Sequence, residues 1–196
     1  MRAATKLFVV TGPSGAGKGT LIRALVARRD DLEVAVSATT RPQRPGEVDG
    51  KDYYFLSEEE FLRRIEAGDF LEHVVYVSGR RYGTLRSEVE RIHAGGKSCV
   101  LELETRGARA VRDALPGAVT IFISVPSFAE LERRLRARAT ESTGEIEERL
   151  ELARAQMEEA GDFDHVVVND DIERALRELD EIVTNEMKTV GRLSAT

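Results

Sequence analysis

A glycine-rich stretch near the start of the chain combines residue types that bind phosphate. It follows the apolar run of residues 7–10 and has the pattern Gly-x-x-x-x-Gly-Lys. Glycines let several backbone N–H groups turn toward one point, and the lysine after them can reach the β- and γ-phosphates of a nucleotide. The usual motif has serine or threonine after the lysine, where this chain has Gly19. The predicted phosphate-binding residues are Gly12, Pro13, Ser14, Gly15, Ala16, Gly17, Lys18, Gly19 and Thr20.

A second group of basic and aromatic residues follows at 41–82. Arg41 and Arg44 lie three residues apart in a proline-containing stretch, and Tyr53 and Tyr82 come later. Each proline forces the arginine before it into an extended conformation, so residues 39–46 cannot form a helix. Guanidinium groups bind phosphate through two parallel hydrogen bonds, and tyrosine hydroxyls add neutral donors. The alternative is a solvated loop beside an aromatic packing cluster. With one phosphate loop already present, the pattern favours a second phosphate site.

The elements that must position these residues alternate along most of the chain. Strands are predicted over residues 7–10, 32–37, 98–103, 119–125 and 166–168, with helices between and after them. This alternation predicts one α/β domain over 1–196, with a parallel sheet covered on both faces and ligands at the carboxyl ends of its strands. Two polar stretches interrupt it, 37–91 and 136–150, which leaves a core of 1–36, 92–135 and 151–190. Within the first stretch, residues 70–77 and 81–82 are predicted to pair as antiparallel strands.

The composition narrows the class of function. The chain has 196 residues, 41% of them hydrophobic, and a formal net charge of −6. A negative chain is poorly suited to nonspecific binding of nucleic acid or of an anionic membrane, so local basic clusters must hold an anionic ligand. Cys99 is the single cysteine, which excludes an intrachain disulfide and favours a reducing compartment. No signal-peptide stretch or membrane-spanning run is present. These features predict a cytoplasmic protein and leave its oligomeric state open.

Several motifs together resemble the guanylate kinase family of nucleoside-monophosphate kinases. They are the phosphate loop, the signature Ser-Ala-Thr-Thr-Arg-Pro-Gln-Arg-Pro-Gly-Glu at 37–47, and residues 50–53, 70–72, 82–84 and 168–171. The signature is far more specific than the loop, and the resemblance covers nearly the whole chain. It implies a P-loop fold in which the 37–91 excursion closes over GMP and a small helical lid at 136–150 covers ATP. The implied reaction is ATP-dependent phosphorylation of GMP, and also dGMP, in purine nucleotide metabolism, with Mg²⁺ bound to ATP.

The resemblance also implies roles for individual residues. Five residues would hold the GMP phosphate: Ser37, Arg41, Arg44, Tyr53 and Tyr82. Facing guanine would be Glu72, Thr84 and one or both of Glu102 and Glu104. Asn169 would lie near adenine. The catalytic set would be Lys18, Arg41, Arg134, Arg138 and Arg149. The arginines of the 133–138 segment have a simpler alternative, a solvated helix face paired with glutamates, but four of them within six positions favour a shared anionic ligand.

The chemistry of the substrates is consistent with these roles. Guanine presents N1–H and N2–H₂ donors on one edge, so a carboxylate is the natural group to recognise it. Glu72 follows Phe70 and Leu71, an apolar context, while Glu102 and Glu104 are expected on one face of a strand at its carboxyl end. The attacking phosphate oxygen is already an anion near neutral pH, so the reaction needs charge neutralisation and positioning rather than a side-chain base.

Three features of the sequence depart from the family pattern and leave two alternatives open. Gly19 occupies the position of the usual hydroxyl residue, alanines stand at 137 and 139 where glycines commonly flank a lid arginine, and residues 104–107 read Glu-Thr-Arg-Gly. No side chain is therefore assigned as a direct metal ligand. One alternative is a kinase of another monophosphate such as AMP, which Gly19 favours and Glu72 opposes. The other is a guanylate-kinase-like binding module without catalysis, which the intact loop with Lys18 opposes.

Overall fold

The computed structural model describes residues 5–76, 79–138 and 143–193, without the side chains of residues 138, 143–145 and 190–193. In chain order, the strands of the described residues are β1 Leu7–Thr11, β2 Leu32–Val34, β3 Ala38–Thr39, β4 Tyr54–Phe55, β5 Phe70–Val75, β6 Arg81–Leu85, β7 Ser98–Glu102, β8 Val119–Ser124 and β9 His165–Val168. The helices are α1 Lys18–Ala27, α2 Glu58–Glu66, α3 Arg86–Ala94, α4 Thr105–Ala114, α5 Phe128–Arg138, α6 Thr143–Glu158 and α7 Ile172–Leu193, with a 3₁₀ turn at Glu159–Asp162. Among these residues, no helix is long and apolar enough to cross a membrane.

Five strands form a parallel sheet in the order β2–β7–β1–β8–β9. Side chains of β1 alternate between its two faces. Phe8 and Val10 pack in the core shared with α1 and α7, whereas Leu7 and Val9 pack in the core shared with α3 and α4. Helices therefore cover both faces of the sheet, which confirms the predicted α/β architecture. The carboxyl end of β1 opens directly into the glycine-rich stretch.

A second, smaller sheet forms between β2 and α3, in the order β4–β3–β6–β5. Its strands β5 and β6 are antiparallel, as predicted, with an irregularity between Phe70 and Glu72. The ring of Phe61 from α2 is fully buried and stacks on Phe70 with their centroids 4.3 Å apart. This sheet has its own small apolar cluster, so the excursion is a structured unit rather than a polar loop. Its assignment as the GMP-binding region stays a prediction.

Two sequence predictions are wrong in detail. The strand predicted over residues 32–37 ends at Val34, because beyond Ala35 the chain leaves the central sheet, and the carbonyl oxygen of Ser37 accepts from Tyr54 of the second sheet. The strand predicted over residues 98–103 ends at Glu102, and Glu104 lies at the N-cap position of α4. Glu102 and Glu104 therefore do not share one face of a strand.

The predicted lid, residues 136–150, includes the end of one helix and the start of the next. The helix α5 ends at Arg138 and α6 begins at Thr143, so residues 139–142 of the predicted lid fall outside the described residues. Nearer the core, the Arg154 guanidinium of α6 lies over the Phe128 ring of α5, 3.9 Å from its centroid. This cation–π contact joins the two helices at their base. The role of residues 136–150 as a lid stays a prediction.

Candidate nucleotide site

The glycine-rich stretch forms a tight loop between β1 and α1 that only glycine can build at two positions. Gly12 has φ +137°, and a Cβ there would lie 2.2 Å from the carbonyl oxygen of Ile123. Gly17 has φ +91°, and a Cβ there would lie 2.4 Å from the side-chain nitrogen of Asn169. Because α1 begins at the next residue, the loop leads into a helix N-terminus, where N–H groups lack partners and attract anions.

Lys18 folds back onto this loop. Its Nζ donates hydrogen bonds to the carbonyl oxygens of Gly12, at 2.7 Å, and Pro13, at 3.2 Å. Burial lowers the pKa of the Lys18 ammonium, and the nearby carboxylates of Glu104 and Glu102 oppose that shift. The ammonium is thus partly desolvated and bound only to neutral carbonyls, a state in which an incoming phosphate can attract it strongly.

Three residues predicted at the ATP site contact the loop or its surroundings. Asn169 is buried, and its side-chain N–H donates to the carbonyl oxygen of Ala16 at 2.7 Å. Arg134 donates to the Asn169 backbone carbonyl at 3.0 Å, and Arg149 donates to the Ser14 hydroxyl at 3.1 Å. The structure therefore places Asn169 behind the phosphate loop, where it supports the loop backbone. Its predicted place near adenine stays a prediction, and the side chain of Arg138 lies outside the described part.

A cavity of about 490 Å³ lies between the phosphate loop and the second sheet. Its volume is in the range of small-molecule sites. The predicted residues that line it come from both units of the fold: Ser14, Gly15, Gly17, Lys18, Gly19, Thr20, Ser37, Tyr53, Glu72, Tyr82, Glu102 and Glu104. Other predicted side chains are not part of its lining: Arg41, Arg44, Thr84, Arg134, Arg149 and Asn169. The phosphate loop and the predicted base-recognition carboxylates thus share one cavity.

Glu72 is the buried carboxylate of this cavity. It is 5% exposed, and its Oε1 accepts a hydrogen bond of 2.9 Å from the hydroxyl of Thr84, which is itself buried. Burial raises the pKa of the Glu72 carboxyl above its ordinary value, although the hydrogen bonds from Thr84 oppose the shift. Gly107 leaves room for this carboxylate, because a Cβ there would lie 3.1 Å from Glu72 Oε2. The remaining acceptor capacity of Glu72 suits a ligand that presents N–H donors.

The two arginines of the signature are held outside the cavity. Arg41 forms a two-pronged ion pair with Glu47, with nitrogen–oxygen distances of 2.7 and 3.0 Å. Its guanidinium lies over the Tyr53 ring, 5.3 Å from the centroid. Arg44 is exposed, and its backbone N–H also donates to Glu47. Hydrogen bonds from Arg41 hold the pKa of Glu47 below its usual range. Glu47 thus organises the loop that carries both arginines.

The other two carboxylates of the cavity have different surroundings. Glu102 is exposed at the end of β7, and its Oε2 lies 3.3 Å from the point that a Cβ of residue 19 would occupy. Glu104 Oε2 accepts a hydrogen bond of 2.9 Å from the side-chain nitrogen of Gln156 on α6. Glu102 is therefore the carboxylate that faces Gly19, while Glu104, which also lies near Lys18, connects the cavity to α6.

The cavity also contains residues that the sequence analysis missed. Arg23 lines it from α1, and Tyr76 lines it beside Tyr82 with ring centroids 4.8 Å apart. Arg23 follows Gly19 by four residues, so helical spacing could have placed it on the face of α1 that carries the loop glycine. Tyr76 continues the alternation that begins at Glu72, and strand spacing could have placed it beside that carboxylate.

A lysine-bearing glycine loop at the carboxyl edge of a parallel sheet, open to a cavity of this size, defines a P-loop nucleotide-binding protein. The family description "Guanylate kinase" matches residues 4–186. A guanylate kinase of Rubrobacter xylanophilus is 52% identical over 178 residues, covering 91% of this chain and 93% of that protein. Another, from Symbiobacterium thermophilum, is 49% identical over 189 residues, covering 96% of this chain and 89% of that protein. The crystal structure of guanylate kinase from Anaplasma phagocytophilum has a TM-score of 0.73 and 32% identity, covering 95% of this chain and 88% of that one. The chain belongs to the guanylate kinase family.

Proposed function

We propose that this protein transfers the γ-phosphoryl group of ATP to a phosphate oxygen of GMP, and also of dGMP, and releases ADP and the nucleoside diphosphate. One observation carries the proposal: Lys18 of the phosphate loop and the buried carboxylate Glu72 line the same cavity. The loop suits a polyphosphate donor, and Glu72 suits guanine. Family membership over nearly the whole chain supports the same reaction.

Recognition of guanine rests on hydrogen-bond complementarity. Glu72 accepts from Thr84 at one oxygen, and its other oxygen is available to the N1–H and N2–H₂ donors of guanine. Adenine lacks this pair of donors, so an AMP-bound cavity would leave the second oxygen of a buried carboxylate without a donor, which is costly. Ser37, Tyr53 and Tyr82 line the same cavity and would hold the acceptor phosphate. Arg41 and Arg44 would join them by turning away from Glu47.

Catalysis in this proposal is positioning and charge neutralisation. Lys18 would exchange its bonds to the loop carbonyls for the β- and γ-phosphates of ATP. Arg134 and Arg149 would turn onto the transferring phosphoryl group from positions beside the loop, together with Arg138. The attacking oxygen of GMP is already ionised near pH 7, so the chain has no need to remove a proton from it. The reaction then follows from in-line placement of donor and acceptor.

The reaction also needs a divalent cation, which we propose to be Mg²⁺ bound with ATP. Mg²⁺ neutralises phosphate charge and prefers oxygen ligands and water. The residues around Gly19 fit this ion, because the exposed carboxylate of Glu102 faces the place where the usual hydroxyl would stand. Glu102 and the hydroxyl of Thr20 would hold the water shell of the metal, while ATP oxygens supply the direct contacts. Both nucleotides are cytoplasmic metabolites, so we place the activity in the cytoplasm.

A coupled assay of ADP release tests the proposal directly. The purified protein is given ATP and Mg²⁺ with GMP, dGMP, AMP, CMP or UMP in separate reactions, and Lys18→Ala serves as the control for contaminating kinases. Turnover is expected with GMP and dGMP and should be about ten- to a hundredfold lower with AMP, as one unpaired buried group would cause. A preference for AMP, or turnover that Lys18→Ala retains, would overturn the proposal. Absence of turnover with every monophosphate would favour the binding module.

A further inference from the structure

A fully buried carboxylate lies outside the cavity and has no part in the reaction proposed above. Glu88, in the first turn of α3, is 2% exposed. Its Oε1 accepts hydrogen bonds from the Val36 backbone N–H at 3.0 Å and from Arg91 at 2.9 Å. Its Oε2 accepts from the Tyr54 hydroxyl and from Arg91, both at 3.0 Å. Burial alone would raise the pKa of Glu88, but these hydrogen bonds outweigh it and hold the pKa below the ordinary value.

Two of these partners lie where the chain passes from one sheet to the other. The backbone N–H of Ala35 still donates to Val100 of the central sheet, at 3.0 Å. Two residues later, the carbonyl oxygen of Ser37 accepts from the N–H of Tyr54 in the second sheet, at 2.9 Å. Val36 lies between them, and its N–H goes to Glu88. Val36 is therefore the changeover residue, and the Glu88 carboxylate holds it.

The other contacts of Glu88 secure both sides of this changeover. Arg91, which clamps the Glu88 carboxylate, also donates to Glu33 of β2 at 2.6 Å. The central sheet is thereby connected to α3. The Tyr54 hydroxyl connects the same carboxylate to the second sheet. One buried side chain joins the two units of the fold at the point where they could move relative to each other.

The two chain segments that Glu88 holds continue into the part of the cavity that is predicted to bind the acceptor nucleotide. Ser37, the residue after Val36, lines the cavity, and so does Tyr53, the residue before Tyr54. The Tyr53 ring packs against Tyr82, with centroids 6.0 Å apart. The phosphate loop takes no part in the Glu88 contacts, so the junction influences one side of the cavity and not the other.

We propose that Glu88 is a positioning residue that fixes Ser37 and Tyr53 in the arrangement that binds the acceptor nucleotide. This inference rests on the proposed function for the identity of the acceptor, but not for the geometry. Without the carboxylate, Val36 and Tyr54 lose their common partner, and binding must order the cavity wall that the folded protein normally holds ready. The cost should appear in the affinity for the acceptor and leave the affinity for ATP unchanged.

Glu88→Gln tests this inference, with Glu90→Gln as the matched control, since Glu90 is an exposed neighbour on α3. We expect Glu88→Gln to raise the KM for the acceptor about three- to tenfold, as the loss of part of a hydrogen-bonded carboxylate would. The KM for ATP should stay within about twofold. Tyr54→Phe removes one of the same bonds and should give a smaller rise, and the double variant should show less than the product of the two effects.

A measurement without substrate separates this proposal from the proposed function. Hydrogen exchange at the Val36 amide of the free protein should become at least about tenfold faster in Glu88→Ala, which removes the acceptor altogether, and stay unchanged in Glu90→Ala. Unchanged exchange at Val36 overturns the inference whatever the activity. An equal rise in both KM values also overturns it, because that pattern indicates general destabilisation. If the wild type phosphorylates no monophosphate, the proposed function fails, and the exchange result alone decides the role of Glu88 as the junction.

Discussion

Replacing Glu72 by glutamine would change one buried group from a hydrogen-bond acceptor to a donor with almost no change in volume. The hydroxyl of Thr84 donates to Glu72 Oε1 at 2.9 Å, and the amide oxygen of glutamine can accept the same bond. The second oxygen becomes an NH₂ group. That group would meet the N–H donors of guanine, so donor faces donor where an acceptor is required.

The expected loss in GMP use follows from this mispairing. A buried group left without its partner costs about 1–3 kcal/mol, which corresponds to about ten- to a hundredfold in kcat/KM for GMP. The KM for ATP should change by less than about twofold, because the proposed function places the donor phosphates at the loop and not at Glu72. The kcat/KM for AMP should fall less than the kcat/KM for GMP, since adenine lacks the pair of N–H donors that a carboxylate accepts. The ratio of kcat/KM for GMP to kcat/KM for AMP should therefore fall by about tenfold or more.

The same substitution should stabilise the free protein at neutral pH. Burial raises the pKa of the Glu72 carboxyl in the folded state above its value in the unfolded chain. Below the ordinary pKa of about 4.5, this carboxyl is protonated in both states and its contribution to stability is complete. As the pH rises through the raised folded-state pKa, that contribution is lost. Glutamine does not ionise, so the variant should unfold at higher urea concentration than the wild type at pH 7 and at a similar one near pH 4.

Separate KM values for GMP and ATP, together with urea unfolding from pH 4 to pH 8, check both expectations. Glu59→Gln is the matched control, because Glu59 is an exposed glutamate of the same excursion. An equal rise in the two KM values would assign Glu72 a structural role. A variant less stable than the wild type at pH 7 would refute the argument from burial.

Three further substitutions probe the phosphate loop. Lys18→Ala should lower kcat by about a hundred- to a thousandfold or more, with little change in the unfolding temperature, because its ammonium neutralises the transferring phosphoryl group. Gly17→Ala should lower the free energy of unfolding by about 2–3 kcal/mol in urea titrations, since the left-handed φ of +91° strains alanine and its Cβ displaces the amide of Asn169. Gly19→Ser should raise the free energy of unfolding by about 0.5 kcal/mol, as serine is the better helix former. It should also lower the Mg²⁺ concentration for half-maximal rate by adding a hydroxyl beside Glu102.

Each of these expectations has a result that contradicts it. Retention of more than a few per cent of wild-type turnover in Lys18→Ala would remove the lysine from the mechanism. Gly117→Ala is the control for Gly17→Ala, because a Cβ at Gly117 meets nothing within 4 Å. An equal loss in both glycine variants would refute the steric argument. A wild type that is inert at saturating Mg²⁺, with turnover restored by Gly19→Ser alone, would show that the water-mediated metal site is wrong.

Local patterns predicted the elements whose formation depends on nearby residues. The continuous apolar run of residues 7–10 predicted a buried strand, and the structure buries these four side chains on the two faces of the sheet. Glycines at fixed spacing predicted the loop because its backbone conformation is a local property. The antiparallel pairing in the excursion followed from a glycine turn between two extended runs.

Long-range contacts set the features that the sequence analysis missed. Where the chain leaves the central sheet after β2, the N–H of Val36 donates to Glu88, some fifty positions along the chain. Asn169 supports the loop at Ala16 through a contact that spans 153 positions. No spacing rule connects such residues, since each pair is brought together by the tertiary fold. Arg23 differs from them, because helical spacing from Gly19 would have placed it.

The charges of the cavity lining explain why the proposed site would need cations from outside the cavity. Its acidic lining residues are Asp52, Glu72, Glu102 and Glu104, and its basic ones are Lys18 and Arg23. A cavity with more carboxylates than cations does not by itself attract two nucleotides that carry several negative charges. Arg41 bound to Glu47 and Arg149 bound to Ser14 are cations within reach of this cavity but outside its lining. In the proposed function, a closed, reactive arrangement would therefore need the excursion and the helices α5 and α6 to bring their arginines in, together with a divalent cation next to Glu102.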